Sequence, residues 1–141
     1  MKKLFFLIIL SLAIASCEDK KPFDAEQERL NLIDARENTM PIISEMHDIR
    51  REIVTKIGNV NALDEKSQAI IKELGDEMNT ANAALMNWIN DFNRNIDKYM
   101  SMENGAPEQK KWMEEMKDSL EDVVEDIEDA TEHAKKVSQK F

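Results

Sequence analysis

The spacing of apolar residues near the C-terminus is the feature that most constrains the fold of this chain. Within residues 113–141 they alternate steps of three and four positions without interruption. This heptad pattern is typical of an α-helix that buries one stripe against neighbouring helices. The stripe comprises Met113, Met116, Leu120, Val123, Ile127, Ala130, Ala134, Val137 and Phe141.

Two earlier segments carry the same pattern and predict two more long helices. The phase of the second stripe shifts by one residue at Ile96 and Tyr99, past Asn95. The second stripe comprises Ile71, Leu74, Met78, Ala81, Leu85, Trp88 and Phe92. The first comprises Leu32, Ala35, Thr39, Ile42, Met46, Ile49 and Ile53, and is widened by Leu30, Ile33, Met40 and Ile43.

Turn residues stand where these helices should end. Gly58 follows the first segment, and Asp64 can cap the start of the second. Gly105 can adopt the left-handed conformation after the second segment, and Pro107 suits the first turn of the third. Pro41 interrupts the first stripe, yet the phase is the same on both sides of it. We therefore expect one continuous, kinked helix there, with two helices meeting at Met40 as the alternative.

Short turns make consecutive helices antiparallel, so residues 25–141 predict an all-α fold of three long helices in an elongated antiparallel bundle. Pairing the stripes places Trp88 near Val123 and opposite the small Ala35. Trp112 lies one position before the third stripe and is predicted to be more exposed than Trp88. We expect a monomer, and a self-associating coiled coil is the alternative that satisfies the same stripes.

The N-terminus has the features of a secretory signal peptide over residues 1–16. Lys2 and Lys3 precede an apolar run at residues 4–15, and small residues follow it. A spanning helix needs about 20 apolar residues, and this run is shorter. A membrane span and a plain cleaved signal, with Cys17 as a free thiol, are the alternatives.

The junction Ile14-Ala15-Ser16-Cys17 resembles the lipobox of bacterial lipoproteins, and Cys17 is the sole cysteine of the chain. The resemblance implies that Cys17 is the lipid attachment site and that residues 17–24 are a lipid-anchored tether. It also implies a location in the bacterial cell envelope, most often the outer membrane, on the periplasmic face or the cell surface. Glu18 and Asp19 resemble surface-export signals, which leaves the leaflet open.

Two further stretches are similar to a family of small helical bacterial lipoproteins of uncharacterised function. These stretches are Met40-Pro41 and the run from Ala83 through Trp88 to Phe92. Some members are labelled "viral A-type inclusion protein", a label that reflects coiled-coil pattern. The family's usual His-Asp-Glu before Met-Pro is replaced here by Arg36-Glu37-Asn38. The resemblance implies no catalytic residues.

Charge excludes one class of partner. The formal charge of −10 becomes two units more negative when Lys2 and Lys3 leave with the signal peptide. Such an acidic chain repels nucleic acid, so we expect no nucleic-acid binding. The acidic residues concentrate on the outer faces of the third helix, as a solvated face or as a surface for cations or cationic partners: Asp118, Glu121, Asp122, Glu125, Asp126, Glu128, Asp129 and Glu132.

No catalytic or metal-binding constellation stands out. A di-iron bundle needs Glu-x-x-His, but Ser44 precedes His47 by three residues and Ala130 precedes His133. Both histidines are therefore interpreted as solvated surface residues. A methionine cluster beside Trp112 could hold Cu(I) or could simply fill the core: Met100, Met102, Met113 and Met116.

The sequence thus predicts a non-enzymatic, lipid-anchored interaction or spacer protein of the bacterial cell envelope. It assigns no catalytic, metal or cofactor-binding residue, and Cys17 is its one site. The partners expected are the membrane, through the N-terminal lipid, and an envelope protein. The alternative is an envelope lipoprotein that handles metal ions or other cations through the methionine cluster or the acidic third helix.

Overall fold

The computed structural model describes residues 22–141, which form three long helices and one short 3-10 turn. Helix α1 runs from Ala25–Ile57, α2 from Glu65–Met100 and α3 from Pro107–Ser138, and the 3-10 turn is Val60–Ala62. At 1.5 Å per residue each helix is about 50 Å long. The helices pack against one another and the described part of the chain has no strand, which confirms the predicted all-α bundle.

The predicted turn residues do what the sequence indicates. Gly58 follows α1 with a φ of 66°, and Gly105 has a φ of 86° before α3 begins. Both lie in the left-handed region that glycine adopts without a Cβ clash. The carboxylate of Asp64 accepts a hydrogen bond from the backbone N–H of Ser67 and so caps α2. Pro107 is the first residue of α3.

Helix α1 is continuous through Pro41, as expected, and the alternative of two helices meeting at Met40 is wrong. Proline removes one backbone hydrogen bond from the helix interior and costs about 3 kcal/mol. Buried side chains flank it on both sides, since Thr39 is 1% exposed and Ile43 is also buried. Packing of the residues around the proline offsets its cost.

Helix α3 is the centre of the bundle. It packs along both α1 and α2, whereas the backbones of α1 and α2 approach each other closely at only a few positions. Helices α1 and α3 run in the same direction, because Glu45 pairs with Lys135 and Lys56 contacts Ser138 further along both helices. A helix with two neighbours must bury more than one stripe.

The burial of α3 reflects this position. The predicted stripe is buried from Met113 to Val137, and Phe141 is half-buried. A second row lies beside it on the side that faces α1. It consists of Val124, which is half-buried, and of Thr131 and Ser138, which are buried, at seven-residue spacing.

The second stripe is buried from Leu74 to Phe92, but the first is only partly as predicted. Ala35 is exposed at the edge between α1 and α3, so it does not face Trp88 within the core. Leu30 and Met40, expected to widen the apolar face, are exposed as well. Because α1 contacts mainly one neighbour, the face that it buries is narrower than the apolar face predicted from its sequence.

The prediction that Trp112 is exposed is wrong, since its exposed fraction is only 6%. Its ring stacks on Tyr99, with centroids 4.5 Å apart, and lies 5.9 Å from Phe92. The phase shift after Asn95 is the reason. It turns the last residues of α2, Tyr99 among them, towards the flank of α3 that the stripe alone leaves open.

Candidate functional site

The one site residue that the sequence predicts, Cys17, lies outside the described residues, as do the signal peptide at 1–16 and the tether up to residue 21. The described chain begins at Pro22, beside the turn between α2 and α3. None of the helices in residues 22–141 combines the length and apolarity that crossing a bilayer requires.

Asn104 fixes the chain where it enters the bundle. Its side-chain oxygen accepts a hydrogen bond of 3.0 Å from the backbone N–H of Ala25. Its side-chain nitrogen donates a hydrogen bond of 3.0 Å to the carbonyl oxygen of Phe23. The ammonium of Lys110 lies 5.5 Å from the centroid of the Phe23 ring. The tether therefore leaves the bundle at the end that carries the α2–α3 turn.

Gln109 locks that turn from inside. It is 1% exposed, its side-chain oxygen accepts a hydrogen bond from the backbone N–H of Gly105, and its side-chain nitrogen donates to the carbonyl oxygen of Tyr99. These two bonds give the oxygen and the nitrogen of the buried amide one partner each. Because both partners belong to the turn and its flanks, the bonds hold the turn in one geometry. Gln109 has a structural role that the apolar pattern could not reveal.

The methionine cluster does not converge on an open site. Met113 and Met116 are buried in the core, which confirms their interpretation as core filler, and Met100 and Met102 are half-buried at the turn. Among residues 22–141, no group of three or more histidine, aspartate or glutamate side chains is placed to hold a metal ion. Five residues of the predicted acidic surface of α3 line two grooves, Asp126 and Asp129 in one and Glu121, Glu125 and Glu128 in the other.

The first groove lies between α2 and α3. Carboxylates line both sides of it, and the side chain of His133 lies within it. His133 is half-buried, with its Nδ1 atom 2.6 Å from a carboxylate oxygen of Glu77, so this surface histidine has a partner on the facing helix as well as contact with solvent. His47 is exposed, as expected. The carboxylates are Glu73, Asp76, Glu77, Asp126 and Asp129.

Part of this groove is neutralised internally. Lys72 and Asp76 form an ion pair of 2.8 Å on α2. The hydrogen bond from Lys72 to that carboxylate raises the pKa of the lysine above its ordinary value, so the ammonium stays charged. Apart from its charged groups, the groove is lined by one threonine and by small alanines such as Ala81 and Ala130. The apolar part of its lining therefore consists of small side chains and contains no leucine or valine.

The second groove lies between the parallel helices α1 and α3 and is of a different kind. We call it the α1–α3 groove. Its floor is apolar and consists of Leu32, Ala35, Leu120 and Val124. Its rim is acidic and carries Glu28, Glu121, Glu125 and Glu128, with Asn31 and Lys117 beside them. An apolar floor between like charges offers both contact area and charge to a partner.

The sequence predicted the acidic rim but missed the floor. Glu121, Glu125 and Glu128 belong to the acidic face recognised from the sequence, whereas Val124 stands outside the main stripe. The signal that could have found the floor is the seven-residue row of Val124, Thr131 and Ser138, which runs parallel to that stripe. No family model, curated protein or solved structure matches this chain.

Proposed function

We propose that this chain is a non-enzymatic, lipid-anchored interaction or spacer protein of the bacterial cell envelope. The observation that carries the proposal is the lipobox-like junction at the only cysteine, Cys17, placed a few residues before a bundle that the chain enters at one end. We place the protein at the outer membrane, on its periplasmic face or at the cell surface, with palmitate-type acyl chains on Cys17.

The geometry of the bundle suits an anchored role. Five peptide steps separate Cys17 from Pro22, and they reach at most about 18 Å. The α2–α3 turn would then lie near the bilayer, because Asn104 of that turn holds Phe23 and Ala25. The turn at Gly58 would lie up to about 50 Å further from the tether, at the opposite end of the helices.

A non-enzymatic role is supported by how the buried polar side chains are used. The hydroxyls of Thr39 and Thr131 donate to backbone carbonyl oxygens within their own helices, and Ser138 contacts Glu52 and Lys56 of α1. Gln109 holds the α2–α3 turn. Each of these groups serves the fold, and none of them faces an enclosed cavity as a catalytic group would.

Membrane fractionation of cells tests the anchoring. Wild type should be recovered with membranes, whereas Cys17→Ala should be released to the soluble fraction or remain unprocessed, because an alanine cannot carry the lipid. Ser16→Ala is the matched control, since it keeps a small residue beside an intact Cys17 and should behave as wild type. Membrane recovery of Cys17→Ala equal to that of wild type would argue against the proposal.

Two further measurements address the partners. We propose a monomer, so sedimentation at micromolar concentration should give one species of the mass of a single chain, and a stable dimer would favour the coiled-coil alternative.

Calorimetric titration with Ca²⁺ and with Cu(I) separates an interaction protein from a cation-handling one. Saturable binding of either ion at a fixed ratio of ion to protein would favour the cation-handling function.

A further inference from the structure

We propose that the α1–α3 groove binds a basic amphipathic helix of a partner protein. This inference rests on the proposed interaction role and names its surface and the chemistry of its partner. It is carried by three properties of the groove, namely its apolar floor, its mostly unpaired acidic rim and its length.

Part of the apolar floor, at Ala35 and Val124, is accessible to a partner. Leu32 and Leu120 are almost fully buried and form the bottom of the groove. Ala35 is exposed above them and Val124 is half-buried. A small residue at position 35 keeps the floor open, so that leucine-sized side chains of a helix could lie against Val124. Burying such side chains is the usual way in which an amphipathic helix binds a groove.

The rim carries a single lysine, Lys117, beside its four glutamates. Within the described part of the chain, Glu28, Glu125 and Glu128 form no ion pair, and Glu121 meets only Lys117, at 3.8 Å. Glu125 and Glu128 stand three positions apart on one helix, where like charges repel each other. Lysine or arginine side chains flanking the apolar stripe of a partner helix would relieve this repulsion, which is charge complementarity across an interface.

The groove is long enough for a helix. Towards the tether it continues past Glu28 and Lys117 to Phe23, and in the other direction it continues past Glu128 to Ile42 and Glu45. The distance along α1 from Glu28 to Glu45 is about 26 Å, which matches a helix of about 18 residues. The far end closes at the ion pair of Glu45 with Lys135.

The α2–α3 groove is the less suitable surface for the same partner. Its carboxylates are partly neutralised by Lys72, and His133 contacts Glu77 within it. Apart from its charged residues and His133, its lining consists of one threonine and of alanines, of which Ala81 and Ala130 are buried. A basic helix would find charge there but no leucine or valine in the lining to pack against, so this groove provides the control.

The test is a binding titration of purified full-length protein in a non-ionic detergent. The probe is a fluorescent helical peptide of about 18 residues, with leucines on one face and lysines and arginines beside them. A peptide with glutamate in place of every basic residue is the charge control, and micelles alone are the blank. We expect saturable one-to-one binding of the basic peptide and none of the acidic one.

Paired charge reversals locate the binding. The double variant Glu125→Lys with Glu128→Lys should lower the affinity for the basic peptide by at least about tenfold, because the charge attraction and the alignment of the peptide in the groove are both lost. Asp126→Lys with Asp129→Lys is the matched control, since it makes the same change of net charge on the same helix but in the α2–α3 groove. It should weaken binding by less than about threefold, through long-range attraction alone. Circular dichroism establishes that both variants keep their helices.

A change of the floor separates apolar contact from charge. Ala35→Gln places a polar side chain over the floor at an exposed helical position and should weaken binding by about threefold or more at unchanged net charge. The proposal is overturned if binding of the basic peptide does not saturate, if the two pairs of charge reversals weaken that binding equally, or if Ala35→Gln leaves the affinity unchanged. These outcomes are independent of the fractionation of Cys17→Ala, so a failed groove and a failed anchor are distinguishable.

Discussion

The indole nitrogen of Trp88 in α2 donates a hydrogen bond of 2.8 Å to the backbone carbonyl oxygen of Met116 in α3. Trp88 is 4% exposed, and its ring stacks on Phe92 with centroids 5.1 Å apart. A tryptophan can thus occupy a heptad position because its one polar atom finds a partner on the facing helix. The bond fixes the register between the two helices near the aromatic half of the core.

Trp88→Ala should destabilise the bundle by about 3–5 kcal/mol, because it removes a large buried ring and leaves a cavity. Trp88→Phe keeps most of the volume but removes the donor, and should cost about 1–3 kcal/mol. Urea unfolding followed by far-UV circular dichroism measures both. Equal midpoints for Trp88→Phe and wild type would show that the bond to Met116 contributes little.

Trp112→Ala should also destabilise the protein by about 3–5 kcal/mol, since Trp112 is buried between Tyr99 and Phe92. This expectation replaces the one from the sequence, in which Trp112 was exposed. Met86→Ala is the control, because Met86 is 49% exposed and its truncation should change the free energy of unfolding by less than about 0.5 kcal/mol. If the urea midpoint of Trp112→Ala were as close to that of wild type as the midpoint of Met86→Ala, the stacked, buried position of Trp112 would be contradicted.

Gln109→Met should lower stability by about 2 kcal/mol, although it preserves the size of the side chain. It removes the partners of the Gly105 N–H and the Tyr99 carbonyl in a partly buried turn. Gln139→Met, at an exposed position after α3, makes the same chemical change without those partners. Thermal unfolding compares the two variants directly, and identical midpoints would show that the hydrogen bonds of Gln109 do not stabilise the turn.

The cap of α2 should make stability depend on pH. The hydroxyl and then the backbone N–H of Ser67 donate to the carboxylate of Asp64 and hold its pKa below its ordinary value. A lowered pKa in the folded state stabilises the protein above the unfolded pKa, about 3.9, and this contribution is lost as the pH falls through the folded pKa. Wild type should therefore exceed Asp64→Ala in stability at pH 7, and the difference should shrink in acid. A difference that grows in acid would contradict this sign.

The apolar stripes were enough to predict the class of fold, the order of the helices and their turns. Periodicity records which face of each helix is buried, and Gly58, Asp64, Gly105 and Pro107 mark the ends by their backbone chemistry. What periodicity does not record is which helix lies in the middle. The phase shift at the end of α2 brings Tyr99 onto Trp112 beside the stripe, and the central place of α3 leaves Ala35 of α1 exposed, so both outcomes depend on how the helices are arranged in space.

The candidate surface shows the same division. The sequence shows the acidic residues of α3 as a run, but the placement of five of them in two grooves follows from the two helices packed against α3. Leu32 and Leu120 read as core residues, and only their position next to exposed Ala35 makes them the floor of a groove. Side chains from two helices form this surface, so the sequence pattern of either helix alone does not predict it.

Lipid attachment at Cys17 is tested by the intact mass of the mature protein together with that of its N-terminal peptide. We expect that residues 1–16 are absent, that the chain begins at Cys17, and that this residue carries a diacylglycerol group. Several acyl chains are needed for stable anchoring, since one chain alone binds a bilayer only marginally. A mature chain that begins at another residue, or an unmodified Cys17 thiol, would contradict the account.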